Sequence, residues 1–136
     1  MWLFKEKVIK SIEDMPENTF GFIYQVEHIP TGRKYLGKKV LQFTRKLPPL
    51  KGYKRKRTVI KESDWKTYYG SQAEIKKLVK EGKESDFKRT ILKFVPTKKL
   101  LTYYETKYLF INGVLEKDNE YINDNILGKF YRKDFL

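Results

Sequence analysis

The chain reads as an α+β domain, an open three-stranded antiparallel sheet flanked by helices. Three observations support this class. Two runs rich in aromatic and β-branched residues, 20–27 and 34–40, are separated by a Pro- and Gly-containing reversal. A third such run, 87–95, is closed by Pro96. Two further segments, 72–80 and 97–110, carry apolar residues at helical spacing.

The first two runs form the centre of the expected domain. Between them lies His28-Ile29-Pro30-Thr31-Gly32, where proline and glycine supply the backbone angles of a tight turn. A hairpin with an even-numbered loop pairs odd positions with even ones, so Tyr24 and Tyr35 fall on one face of the ribbon. The lone His28 sits beside this turn and reads as a surface residue.

After the hairpin a short helix is expected at about 40–46, stopped by Pro48 and Pro49. A basic loop at about 45–62 follows. From Arg45 to Lys61 it holds eight basic residues and no acid, with Tyr53 among them. A segment of this kind repels itself, and it suits contact with phosphates while the aromatic ring offers a stacking surface. Ser63-Asp64-Trp65 begins a turn or short helix that ends at Tyr68-Tyr69-Gly70-Ser71. The helix at 72–80 stops at Gly82.

Thr97 is the expected N-cap of the last helix, which runs to about Phe110. Glu105 is the telling charge in it, because Leu101, Tyr104, Tyr108 and Leu109 surround it at helical spacing. An unpaired carboxylate inside an apolar stripe costs several kcal/mol. It therefore calls for a cation, a set of donors or a path to solvent.

Composition narrows the classes of partner. One domain, 1–136, accounts for the length. The net charge of +13, from 30 Lys and Arg against 17 Asp and Glu, points to a polyanion. One histidine and no cysteine exclude His-rich metal nucleases, zinc-finger readers and disulfide frameworks. No Gly-Lys-Ser/Thr phosphate loop is present. The N-terminus meets charge too early for a signal peptide and no apolar run suits a membrane span, so a cytoplasmic protein is expected.

Phe22-Ile23-Tyr24 and Tyr35-Leu36-Gly37, eleven positions apart at their tyrosines, resemble the two tripeptides of the GIY-YIG nuclease superfamily, with Phe22 replacing a glycine. Arg45, ten residues beyond Tyr35, stands at the offset of the family's arginine, and Glu105 and Asn123 follow in the family's order. The likeness extends over most of the chain and is closest to modules of phage-borne homing endonucleases, which act in a bacterial host.

The resemblance implies a DNA endonuclease that uses one divalent ion, Mg²⁺ or Mn²⁺, and leaves a 5′-phosphate and a 3′-hydroxyl. Tyr24 and Tyr35 would manage the attacking water, Arg45 the phosphate and Glu105 the metal, with Asn123 orienting the bound ion or tying the last segment to the core. Lys34, Lys38, Lys46, Lys54, Arg55, Lys56 and Arg57 are the expected DNA contacts. Pro49 stands where many members carry His or Tyr. That departure makes Tyr68 and Tyr69 candidates for the missing proton-transfer or phosphate contact. The chain leaves little room for a separate DNA-reading domain, so specificity falls to the basic loop, to a homodimer or to a targeting partner. The competing reading is a basic nucleic-acid-binding module of the same fold without catalysis.

Overall fold

A computed structural model describes residues 1–116 and 118–135. The main sheet is built from β1 (Trp2–Phe4), β2 (Lys7–Ile9), β3 (Gly21–His28), β4 (Arg33–Val40) and β7 (Phe87–Val95), in the order β2-β1-β7-β3-β4. Between β4 and β7 come β5 (Gln42–Leu47), β6 (Arg57–Glu62) and α1 (Ala73–Lys80). The chain ends with α2 (Lys98–Ile111) and the short pair β8 (Asn125–Ile126) and β9 (Phe130–Tyr131). No described helix is long and apolar enough to cross a membrane.

The sheet has five strands rather than the expected three. The addition is the hairpin β1–β2, whose β1 lies parallel to β7. Its two loop residues, Lys5 and Glu6, both have positive φ, +46° and +71°. A two-residue hairpin of the primed type demands that geometry, which Asn-Gly ordinarily signals. Lys-Glu carries no such signal, and three-residue strands are too short to show a period.

A second correction concerns 40–46, which is not a helix. Residues 42–47 form β5, paired antiparallel with β6 from Gln42↔Glu62 to Leu47↔Arg57. Half of the expected basic loop, 45–47 and 57–62, therefore belongs to a two-stranded ribbon, and 48–56 form the loop at its tip. Its base is fastened to the sheet: Leu41 N–H bonds Phe20 O, Ser63 N–H bonds Leu41 O, and the Ser63 hydroxyl donates to Val40 O at 2.6 Å.

Both faces of the sheet are covered. On one face Phe22, Tyr24 and Val26 pack with Trp2, Trp65, Ile75 of α1 and Ile91. On the other, Ile23 and Leu36 pack with Leu101 and Leu109 of α2, Val114, Tyr121 and Ile126. Between Ile23 and Tyr24 the pairing of β3 with β7 slips by one residue, a β-bulge. Because side chains alternate, the slip sends Ile91 to the first core and Val95 to the second, although both numbers are odd. The bulge lies beside Tyr24.

Helix ends follow the sequence. Thr97 accepts Leu100 N–H at 3.2 Å as the N-cap of α2, and Gln72 does the same for Ile75 N–H in α1.

Candidate active site

The β3–β4 hairpin reverses through Ile29–Gly32, with His28 paired to Arg33. Gly32 has φ +71° and its N–H bonds His28 O. Four loop residues give the even count that puts Tyr24 and Tyr35 on one face, and their rings lie 6.4 Å apart. The His28 ring bonds the Thr31 hydroxyl at 2.8 Å, outside the site.

Tyr24 is almost fully buried, at 1% exposure, between two glycines. A Cβ on Gly37, its cross-strand partner, would stand 2.7 Å from the Tyr24 hydroxyl. One on Gly70, where φ is +111°, would stand 3.5 Å from the same oxygen and 3.3 Å from the Tyr35 ring. Gly70 thus lets the chain after Tyr68-Tyr69 close over both phenols. Ser71 then meets Tyr35, hydroxyl to hydroxyl, at 2.9 Å, and the Tyr68 ring stands edge-on to Tyr24 at 5.9 Å.

Arg89 holds that covering segment in place. Its guanidinium lies 4.7 Å from the Trp2 ring and 4.1 Å from the Tyr69 ring, and donates to the carbonyls of Lys66 and Tyr68 at 2.9 Å. Tyr69 therefore belongs to this brace, while Tyr68 faces the site.

Strand β4 is the open edge of the sheet, and several of its outward groups are met by other segments. Lys34 N–H bonds Glu120 O, and Lys34 O accepts Ile122 N–H. Leu36 N–H bonds Asn123 Oδ1 at 3.1 Å, while Asn123 Nδ2 donates to Leu36 O at 2.8 Å. The buried amide of Asn123 thus copies a strand residue and fastens the C-terminal segment to β4. Next along the edge, the Lys38 N–H faces the carboxylate of Glu105 on α2. Arg132 clasps this segment from outside by donating to the carbonyls of Val114, Tyr121 and Asn123.

Glu105 shares a helix face with buried Leu101 and Leu109. Burial raises its pKa above the usual carboxyl range, opposed by the ammonium and backbone N–H of Lys38. Lys38 Nζ also donates to Thr102 at 2.9 Å, one turn earlier on α2. Tyr24 is pushed well above the ordinary phenol range by burial first, then by the phenols of Tyr68 and Tyr35 and by Glu105. Tyr35 is raised by burial, with Glu105 a further cause.

Tyr35 and Glu105 open on a polar cleft of about 470 Å³, whose walls also include Ser71, Asn123, Asp124 and Asn125, while the buried Tyr24 is not among its walls. A second groove, of about 360 Å³, runs between the hairpin turn and α1 and holds neither a site phenol nor Glu105.

The other candidates are distributed as follows. Lys34 pairs with Glu120 at 3.5 Å. Arg45, Lys46 and Arg57 stand exposed on the β5–β6 ribbon, and Lys54, Arg55 and Lys56 at its tip. Arg45 is on a strand, not a helix, and among the described residues its guanidinium has no hydrogen-bond or ion-pair partner. Ser71, Asp124 and Lys39 are not singled out by the sequence. Lys39 lies 3.9 Å over the Tyr68 ring and pairs with Asp64 at 2.6 Å. Only tertiary approach brings them in; the sole local signal is the Tyr-Tyr-Gly-Ser run itself.

Searches of curated proteins and of solved structures found no match for the chain. A family model described as "Putative endonuclease segE, GIY-YIG domain" matches residues 2–126. That span contains both tyrosine tripeptides, Glu105 and Asn123, and on it the chain belongs to this GIY-YIG nuclease family.

Proposed function

We propose that the chain is a DNA endonuclease whose catalytic centre is the cleft walled by Tyr35 and Glu105, with Tyr24 packed beside Tyr35. The observation that carries this reading is that Glu105 and Tyr35 line one polar cleft, with the Tyr24 ring 6.4 Å from that of Tyr35. Burial without full compensation is the ordinary condition of a functional carboxylate.

The donor set fits one hard divalent cation. Among the described residues no three His, Cys, Asp or Glu side chains converge into a protein-made cage. A single carboxylate at a polar cleft suits Mg²⁺ or Mn²⁺, of which Mg²⁺ keeps several waters and accepts phosphate oxygens. Such an ion would polarise the phosphodiester and stabilise the departing oxygen.

The chain's own groups do the rest. Tyr24 and Tyr35 keep their protons at neutral pH, because both pKa values are raised, and so act first as donors that orient water and a phosphate oxygen. Neutralising Glu105 would remove one of the charges that raise them, which would bring Tyr24 closer to giving up its own proton. Lys38, already acting on Glu105, counters charge that grows on the phosphate. Arg45 in this reading meets DNA from the ribbon. Asn123 keeps the cleft wall attached to β4. The products are a 5′-phosphate and a 3′-hydroxyl, and cutting both strands takes two copies or two successive nicks.

One observation favours the binding-module alternative: the ribbon removes Arg45 from the helix where a catalytic guanidinium is expected. Supercoiled plasmid separates the two readings. The native chain should nick it with Mg²⁺ and not with EDTA, and Glu105→Ala should bind but not cut. If native and variant bind equally and both leave the plasmid intact, the binding module stands instead.

A further inference from the structure

The β5–β6 ribbon is a two-stranded arm with no buried face. Every residue of β5 and β6 is exposed except Leu47 and Val59, which are half-buried. Isolated two-stranded ribbons are marginal in water, so packing alone does not account for it. The pairing register divides its side chains sharply. Phe43↔Lys61, Arg45↔Val59 and Leu47↔Arg57 share one face, and Gln42↔Glu62, Thr44↔Ile60 and Lys46↔Thr58 share the other. The first face carries three cations and no acid, and the second one cation and one acid.

On the first face no cation sits opposite another. Each is paired with an apolar residue, and Arg45 lies diagonally between Arg57 and Lys61. Same-face neighbours along a strand are about 7 Å apart, or two nucleotide steps of about 3.4 Å. At the tip, Lys51, Lys54, Arg55 and Lys56 add charge without an acid. Among the described residues, no acid of the chain pairs with any cation of the ribbon or its tip.

We infer that this ribbon enters the major groove of duplex DNA, with the Phe43/Arg45/Leu47/Arg57/Val59/Lys61 face toward the bases and the tip on phosphates. The groove, about 12 Å wide, admits a two-stranded β-ribbon. Arginines on that face can read guanine edges, and Phe43 and Val59 can meet thymine methyls. The ribbon continues directly from β4, the strand of Tyr35 and Gly37, and its base is hydrogen-bonded to the sheet. The arm is thereby held at a fixed offset from the cleft, so the inference, which rests on the nuclease reading, assigns the ribbon the choice of cutting position.

Binding to a 30-base-pair duplex, followed by fluorescence anisotropy in EDTA across a salt series, tests the surface apart from catalysis. The triple variant Arg45→Gln, Arg57→Gln, Lys61→Gln should weaken binding more than tenfold and relax the preference among duplex sequences, with a salt slope close to native, because those three side chains face bases while the tip holds the phosphates. Thr44→Gln with Thr58→Gln, on the opposite face, should change affinity less than twofold, and both variants should keep the native circular dichroism spectrum. Methyl green, a major-groove ligand, should displace the protein, and netropsin, a minor-groove ligand, should not. Equal affinity of the triple variant and the native chain, or displacement by netropsin alone, overturns the proposal. Native binding without plasmid cleavage would sink the nuclease reading while leaving the groove assignment intact. Sequencing the cut ends gives the last check: the triple variant should scatter the native cutting positions, and unchanged positions overturn the assigned role.

Discussion

The hydroxyl of Tyr24 occupies the space where a side chain on Gly37 would begin, with 2.7 Å between the oxygen and the Cβ that glycine lacks. The glycine of the second tripeptide is thus explained by the tyrosine of the first. Gly37→Ala should push the Tyr24 ring out of place at a cost of about 1–3 kcal/mol, the usual range for overpacking. Urea unfolding should show that loss. Cleavage should fall much further than DNA affinity, and a variant that cuts normally would show that Tyr24 can move without consequence.

Asn123 tests the edge of β4. Asn123→Ala leaves the N–H and C=O of Leu36 without their partners, which should cost roughly 2–6 kcal/mol at about 1–3 per unsatisfied group. Asn123→Asp keeps an acceptor for Leu36 N–H but sets a carboxylate oxygen against Leu36 O, so it should recover only part of the loss. Denaturation midpoints of the two variants give the comparison, and equal midpoints for Asp and Asn would remove the donor half of the pair from the account.

The Glu105 carboxyl leads to a pH prediction. Its folded pKa is raised, chiefly by burial. A group of that kind favours folding below its unfolded pKa, and the contribution is lost as pH rises through the folded value. Near neutral pH the native chain should therefore be less stable than Glu105→Gln, and the gap should close towards about pH 4, near the ordinary carboxyl value. Thermal melts across pH measure it. A Gln variant that is less stable at neutral pH would mean that Lys38 overcompensates for burial.

Lys38 lowers the same pKa through its charge. Lys38→Met should accordingly raise it further and move the acidic limb of the cleavage pH profile upward. A limb that stays in place would separate Lys38 from the group that sets it.

The sequence disclosed some of these relationships and not others, for physical reasons. The parity of a hairpin survives any detail of its turn, so the shared face of Tyr24 and Tyr35 was readable from the tripeptides. The place of Glu105 was readable too, because Leu101 and Leu109 mark a buried helix face four residues either way. The β1–β2 hairpin was hidden by strands of three residues and by a Lys-Glu turn without the usual composition. The β5–β6 ribbon was hidden because neither face is buried, and an alternation with nothing to bury leaves no hydrophobic period. Arg89 and Arg132 act by bonding carbonyls brought from distant segments, which no local pattern announces.

The central claim is that Glu105 anchors the chemistry of the cleft rather than its architecture. Single-turnover cleavage of a bound duplex, titrated with Mg²⁺, tests it most directly in the native chain and Glu105→Gln. The account predicts equal DNA affinity, an unchanged or higher melting temperature for the variant near neutral pH, and a cleavage rate lower by at least about 100-fold, more than loss of an outer partner of a metal ligand ordinarily costs. A Glu105→Gln protein that cuts at the native rate with the native Mg²⁺ dependence would contradict it.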